Sequence, residues 1–258
     1  MSGTPQILSR DELVAIERAA VRGWPAIDTV AIDGWLARWS SGGSVRANTV
    51  AALDFKGDLD RALGRVVQFY RDRGGVPKIL ITEVSEPSGL DAELERRGWQ
   101  RHGAHVTLTK HLAASPIRFL GDRAGVTVER HTRADQAWAD IYLGGLSVDR
   151  RACAHRLADG TPEPRAFFSG VRNGEVIACG LTVLDGTLAS VQCMGTSASA
   201  RRTGAATAIL TAIELYARAN GVSRLYLQTD EANHGALALY AAFGFARASR
   251  YHVRELHL

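Results

Sequence analysis

The sequence has no apolar run approaching the roughly 20 residues that cross a bilayer, so a membrane-spanning role is not expected. It is poor in cysteine. Cys153, Cys179 and Cys193 show no metal-ligand spacing and cannot all pair with one another. That argues against a disulfide scaffold and against a bound metal, and makes a reducing cytoplasm the expectation. The opening stretch MSGTPQILSRDELVAIERAA carries acids early and no apolar segment, so a secretory leader is not expected either. Blocks of like charge are missing: 31 Lys and Arg are interleaved with 27 Asp and Glu, for a net +4. A nucleic-acid binder concentrates its cations in runs or stripes, so nucleic acid is not an expected partner. The mild positive balance suits an anionic small ligand. Low-complexity segments are absent too, and 46% hydrophobic with 22% charged residues is ordinary for a globular chain. A length of 258 residues allows one large domain or two smaller ones.

What is present is an internal repeat. With a shift of 146 residues, FYRDRGGVPKILIT (Phe69 to Thr82) falls without a gap on the stretch beginning LYARANGVSRLYL at Leu215. Tyr70 meets Tyr216, Gly75-Val76 meets Gly221-Val222, and Gly98-Trp99 meets Gly244-Phe245. Upstream the same shift joins Ser44-Val45 to Ser190-Val191, and at the end Leu112 to Leu258. The chain therefore reads as two related halves, 1–115 and 116–258, with a linker inside Leu112–Gly125 around Pro116. The second half is the longer at its front.

Its periodicity predicts a strand at Val126–His131 and helices at Asp135–Leu146 and Arg150–Leu157. Three meandering strands follow at Pro164–Val171, Val176–Val183 and Leu188–Met194, joined by RNGE and LDGT turns. A helix near Arg202–Asn220 ends at Asn220-Gly221. Then come a buried strand at Arg224–Thr229, a short helix at Gly235–Phe243 and a last strand near Phe245–Leu256. Strand, helix, strand with a tight turn makes a parallel crossover. The fold class is α/β (or α+β), with a mixed, partly parallel sheet flanked by helices.

At the head of the crossover helix stands R-R-T-G-A-A. A helix start leaves N–H groups unpaired and carries the positive end of the dipole, which favours an anion. Gly204, Ala205 and Ala206 let a ligand approach the backbone, and Arg201 and Arg202 add charge. No Lys-Ser/Thr follows the glycine, so this is not a P-loop, and there is no G-x-G-x-x-G. Taken alone, the stretch fits equally a capped, alanine-rich helix with solvated arginines.

Further on comes NHGALALYAAFGF, Asn233 to Phe245. Together the two stretches resemble the GNAT superfamily of acyl-CoA-dependent N-acyltransferases, over about Val126 to Leu258. The family's pyrophosphate loop, Q/R-x-x-G-x-G/A, is matched by Arg201, Gly204 and Ala206. Its N-x-x-A-x-x-L-Y-x-x-x-G-F is matched by Asn233, Ala236, Leu239, Tyr240, Gly244 and Phe245. The resemblance implies acetyl-CoA as co-substrate and an amine, of a small molecule or a protein, as acceptor. It implies that Met194, Gly195 and Thr196 bind the pantetheine arm through their backbone. The N–H groups of Arg201, Arg202, Thr203, Gly204, Ala205, Ala206 and Thr207 would hold the pyrophosphate. Asn233 would line the cofactor near the thioester, and Tyr240 would protonate the departing thiolate. A homodimer stays open.

The sequence departs from the family in three places. Ala198 stands where proline is frequent, and Ala206 where a last glycine is frequent. The strand LASVQCM lacks the family's frequent glutamate and offers only Gln192. Asp230, Glu231 and His234 are alternative bases, or ordinary loop residues, and Cys193 reads as a small buried residue. Under the shift, Arg201, Gly204, Ala206 and Tyr240 correspond to Phe55, Asp58, Asp60 and Leu94. Two aspartates there would repel a pyrophosphate, so the first half is expected to keep the fold and to have lost the cofactor. In that half Trp24 and Trp99 read as core, Trp35 and Trp39 as one face of a strand, and Arg46 and Asn48 as a solvated strand end or acceptor-facing residues. The rival reading is a non-catalytic coenzyme A sensor or scaffold.

Overall fold

Ser9 opens the first helix. Its Oγ accepts the Glu12 N–H at 3.2 Å while the Glu12 carboxylate accepts the Ser9 N–H at 2.9 Å, a reciprocal cap that fixes the start of α1 (Arg10–Gly23). The computed structural model describes residues 8–42, 44–113 and 125–257. The centre of the expected linker, including Pro116 and the 115/116 boundary, lies outside the described residues, as does Leu258.

A hairpin follows, β1 (Asp28–Ile32) and β2 (Trp35–Trp39), turning at Asp33-Gly34 where φ is 49° and 95°. Then come β3 (Val50–Ala51), α2 (Leu59–Arg71), β4 (Lys78–Thr82), α3 (Leu90–Arg96) and β5 (Gln100–His111). The second half runs β6 (Thr127–His131), α4 (Gln136–Gly144), α5 (Val148–Asp159), β7 (Arg165–Arg172), β8 (Glu175–Asp185), β9 (Leu188–Ser190) and β10 (Gln192–Thr196). It closes with α6 (Ala205–Ala219), β11 (Arg224–Asp230), α7 (His234–Ala242) and β12 (Ala246–Glu255). No helix among the described residues is long and apolar enough to cross a membrane.

The downstream part of the repeat is real. The 146-residue shift carries Leu59, first in α2, onto Ala205, first in α6, then Lys78 onto Arg224 and Gln100 onto Ala246. Upstream it slips by seven residues. Ala51 faces Leu80 in the parallel pairing of β3 and β4, and the same place opposite Tyr226 is taken by Ser190. The second half has spent those residues on β10 and the loop before α6, so Ser44 is not the partner of Ser190.

The described residues form one 12-stranded sheet, ordered β1-β2-β3-β4-β12-β5-β11-β9-β8-β7-β6 with β10 on β8. The two closing strands are exchanged. β5 pairs with β11 from Arg224↔His111 to Asp230↔His105, while β12 lies between β4 and β5. Successive strand residues face opposite ways. Leu225 and Leu227 therefore join Ile209, Ile213 and Phe243 in the core beneath α6 and α7. Tyr226 instead meets Ile16, Ala19 and Ala20 of α1, which has crossed onto the second half. Trp24 continues that crossing and packs with Trp138 and Leu157. Trp35, Trp39 and Trp99 sit in the first half's own core with Tyr70 and Leu94.

Candidate functional site

The parallel pairing of β9 with β11 ends early. It runs from Leu188↔Arg224 to Ser190↔Tyr226 and closes with Val191 N–H donating to Tyr226 O at 2.8 Å. Beyond it β10 pairs with β8 and β11 with β5, so a wedge opens between β10 and β11. The expected single strand Leu188–Met194 is thus two, because the ladder to β8 is irregular between Gln192 and Gly195 and Cys193 stands at φ 51°. A bulge of this kind re-aims backbone groups next to active sites. Gly195 has to be small: a Cβ there would lie 2.8 Å from Cys179 Sγ and 3.2 Å from Ile141 Cγ2. Met194, Gly195 and Thr196 are all half-buried along the wedge.

At the end of β10 a 3-10 turn, Ala198–Ala200, leads into the basic loop. Helix α6 starts at Ala205 rather than Arg202, because Arg202 (φ 64°) and Gly204 (φ 91°) are left-handed. Left-handed residues in a tight turn can curl neighbouring N–H groups into a concave, anion-binding nest. The first-turn N–H groups of Ala205, Ala206 and Thr207 have no acceptor inside the helix. Thr203 is fixed from both sides: its hydroxyl donates to Ala200 O at 2.7 Å and accepts from Arg172 Nη2 at 2.9 Å. Arg172, at the end of β7, thus joins Arg201 and Arg202 at the loop, a contribution that no local pattern announces. The Arg201 N–H turns back towards Ala198 O at 3.5 Å. A curled loop on a helix start, at the mouth of a wedge between two strands, fits a diphosphate carrying an extended arm.

The counterpart in the first half is closed. Asp58 caps α2 with its own carboxylate, accepting the Arg61 N–H at 2.9 Å. The gap after β3 is bridged by Glu86, whose N–H donates to Ala52 O at 2.8 Å and whose carboxylate accepts the Phe55 N–H at 3.2 Å. Phe55 packs on Trp35 at 4.9 Å.

Tyr240 is buried on the α6 face, edge-on to Phe245 at 5.7 Å. Its hydroxyl has no hydrogen-bond partner among the described residues, and burial pushes the phenol up to about 12. Asn233 caps α7 through Oδ1, which accepts the Ala236 N–H at 3.2 Å. Among the sequence-predicted bases, Asp230 accepts the Ala232 N–H at 2.8 Å and Glu231 pairs with Arg247 and Arg250. His234 is exposed. The Cys193 thiol is pushed up to about 12 by its shielding from water, so it is no thiolate nucleophile.

Gln192 anchors α1, its Nε2 donating to Gly23 O at 3.1 Å and to Ser190 Oγ at 2.8 Å. Arg46 is not at a solvated strand end: its guanidinium donates to Gln228 Oε1 on β11. Asn48 is buried and braces the preceding loop at Ser40, Gly42 and Ser44. The residue that the sequence reading passed over is Glu17, buried on α1 and close to Gln228. Its signal was available: Leu13, Ile16, Glu17 and Ala20 form the helix's buried stripe, and an acid in such a stripe asks for a reason. His102, Glu255 and His257 come within 4.8 Å of one another, but they are largely exposed and Lys78 already holds Glu255 at 2.7 Å.

Comparison with known proteins identifies the family and the fold. The family model "Probable histone acetyltransferase Rv0428c C-terminal" matches residues 11–254. The "Uncharacterized N-acetyltransferase YobR" of Bacillus subtilis (strain 168) is 27% identical over 247 residues, 95% of this chain and 98% of that one. The "Probable histone acetyltransferase Rv0428c" of Mycobacterium tuberculosis is 26% identical over 135 residues, 52% of this chain and 40% of that one. Among solved structures, a GCN5-related N-acetyltransferase from Kribbella flavida superposes with a TM-score of 0.72 at 18% identity, covering 95% of both chains. A tandem GNAT protein from the clavulanic acid biosynthesis pathway gives 0.59 at 14% identity, covering 98% and 97%. These two show the fold.

Proposed function

The chain belongs to the Rv0428c C-terminal acetyltransferase family, of the GNAT type, and from that premise we propose that its second half transfers an acetyl group from acetyl-CoA to a primary amine by direct attack. The observation that carries the reading is the wedge between β10 and β11 ending at the left-handed turn of Arg202 and Gly204. In this reading the N–H groups of the Arg201–Thr207 loop hold the pyrophosphate. The backbone of Met194, Gly195 and Thr196 lines the pantetheine arm, and Asn233 keeps its amide nitrogen for the same ligand. Acetyl-CoA, when bound, supplies a thioester carbonyl for the acceptor nitrogen to attack. The chain holds the reactants in line, polarises with its bulged backbone and gives a proton from Tyr240. We keep the division into halves 1–115 and 116–258, the first without a cofactor site. Three free cysteines suit the reducing cytoplasm expected of it.

Calorimetry with coenzyme A should give one molecule per chain; two would sink the assignment of a single active half. Acetyl-CoA with a panel of primary amines should release free thiol. Binding with no release from any of them would leave the non-catalytic sensor as the better reading. Gly204→Ala tests the loop itself. A Cβ in a left-handed residue costs about 1–2 kcal/mol, so coenzyme A affinity should fall about tenfold. Unchanged affinity would move the pyrophosphate away from this turn.

A further inference from the structure

The second half's active strand carries no acid, and the carboxylates around the wedge are engaged. Asp230 closes a turn on the Ala232 N–H, Glu231 pairs with two arginines, and exposed Glu83 accepts the Arg250 N–H at 3.1 Å. Glu214 lies beneath the sheet's other face with Lys110 and Arg218. Among the described residues one carboxylate is buried on the open face, and it comes from the other half. We propose that Glu17, on helix α1 of the first half, is the general base that deprotonates the acceptor amine in the second half's site. This inference rests on the acetyl-transfer reading above.

The placement argues for it. Ile16, Ala19 and Ala20 seat α1 on Tyr226 and Leu188, where β9 and β11 are last paired. Glu17, one residue on from Ile16, then comes beside Gln228, two residues further along β11, where that strand has already left β9. At the helix's other end Gln192, the first residue of β10, holds Gly23 O. A single helix therefore spans both lips of the wedge and sets Glu17 between them. Tyr240 lies on the opposite face, so acid and base flank the wedge from two sides. A cleft of about 290 Å³, lined in part by Glu83, His105, Glu231 and Tyr251, opens on the same side of the molecule as the charged groups that act on Glu17.

The charged and titratable groups facing Glu17 are Arg38 from β2, Arg46 from the turn before β3, Glu83 after β4, Tyr226 from β11 and Tyr251 from β12. Burial outweighs the two arginines and raises the carboxyl to about 7. A base poised there is half ionised at neutral pH and still strong enough to take a proton from an ammonium. The acceptor nitrogen sheds two protons. Glu17 takes the first from the ammonium and passes it to solvent. The second leaves as the C–N bond forms and the C–S bond breaks, and it balances the proton that Tyr240 gives to sulfur.

The test is Glu17→Gln, assayed as thiol release from acetyl-CoA with whichever of spermidine, kanamycin or a lysine peptide the wild type acetylates fastest, or with water if it acetylates none. Wild-type kcat/KM should rise with pH to a plateau, half-maximal near 7. The variant should lose about 10²-fold at pH 7 with the KM for acetyl-CoA unchanged, show no inflection there, and recover towards the amine's own pKa, where the acceptor arrives neutral. Stability provides a second readout. A carboxyl raised from about 4.5 to about 7 binds more protons folded than unfolded across that interval, so the native state loses stability as pH rises through it. Glu17→Gln should therefore melt no lower than wild type at pH 8. A variant with wild-type rates and the same pH profile, or one that loses activity only because it melts lower, overturns the assignment. A wild type that fails to bind coenzyme A, or to release thiol with any acceptor, overturns the acetyl-transfer reading itself, and the base with it.

Discussion

Tyr240→Phe should lower acetyl transfer by about 10²- to 10³-fold, some 3–4 kcal/mol of barrier, while coenzyme A binds as before. The tyrosine hydroxyl makes no hydrogen bond among the described residues, so removing it breaks nothing in the resting protein. The ring keeps its edge contact with Phe245, and the melting temperature should hold. What disappears is the proton for the leaving sulfur. A free thiol titrates near 8.5, and a phenol held at about 12 would be a poor donor to it in water. The wedge changes that comparison. Loss of water disfavours a thiolate as it does a phenolate, as the raised Cys193 thiol on the wedge's own strand shows, so a sulfur leaving into the wedge is a stronger base than one in water and the gap to the phenol narrows. A rate unchanged in pre-steady-state thiol release would remove Tyr240 from the mechanism.

The helices and strands around the site were legible because each is a local pattern. Periodicity placed α6, β11, α7 and β12 within a few residues, and the N-x-x-A-x-x-L-Y run placed Tyr240 on the correct helix. The start of α6 was misjudged because two left-handed residues inside a run of helix formers are a backbone property that the residue types barely announce, Gly204 apart. Strand exchange was invisible for a different reason. β5 and β12 are repeats of one another, so local pattern cannot say which of them pairs with β4 and which with β11. The seven-residue slip before α2 hid behind a constant shift that holds everywhere downstream. Glu17 was missed, and Arg46 was read as a solvated strand end or an acceptor-facing residue, because both reach across the join: each belongs to the first half by sequence and meets Gln228 in the second.

The exchange also makes a prediction about stability. Lys110 belongs to β5 of the first half, yet its ammonium lies 2.6 Å from Glu214 on α6, with both side chains 1% exposed. It stands 4.2 Å above the Phe243 ring, and the same glutamate takes Arg218 at 2.6 Å. Lys110→Ala would leave Glu214 buried with one partner and open a void along the lysine stem. Breaking a buried pair from one side costs about 3–5 kcal/mol, which for a chain of this size lowers the melting temperature by roughly 6–15 °C. Lys110→Met fills the void but strands the same charge, so it should recover only part of the loss. Lys110→Met with Glu214→Leu removes both charges and should return most of it, because the desolvation cost goes with them. Calorimetry should show one transition that moves as a whole in all three variants, since the strand bearing Lys110 is hydrogen-bonded to β11 on one side and β12 on the other. Two transitions, with only the later-half one shifted by Lys110→Ala, would mean that the halves fold apart and that the exchanged strands do not join them.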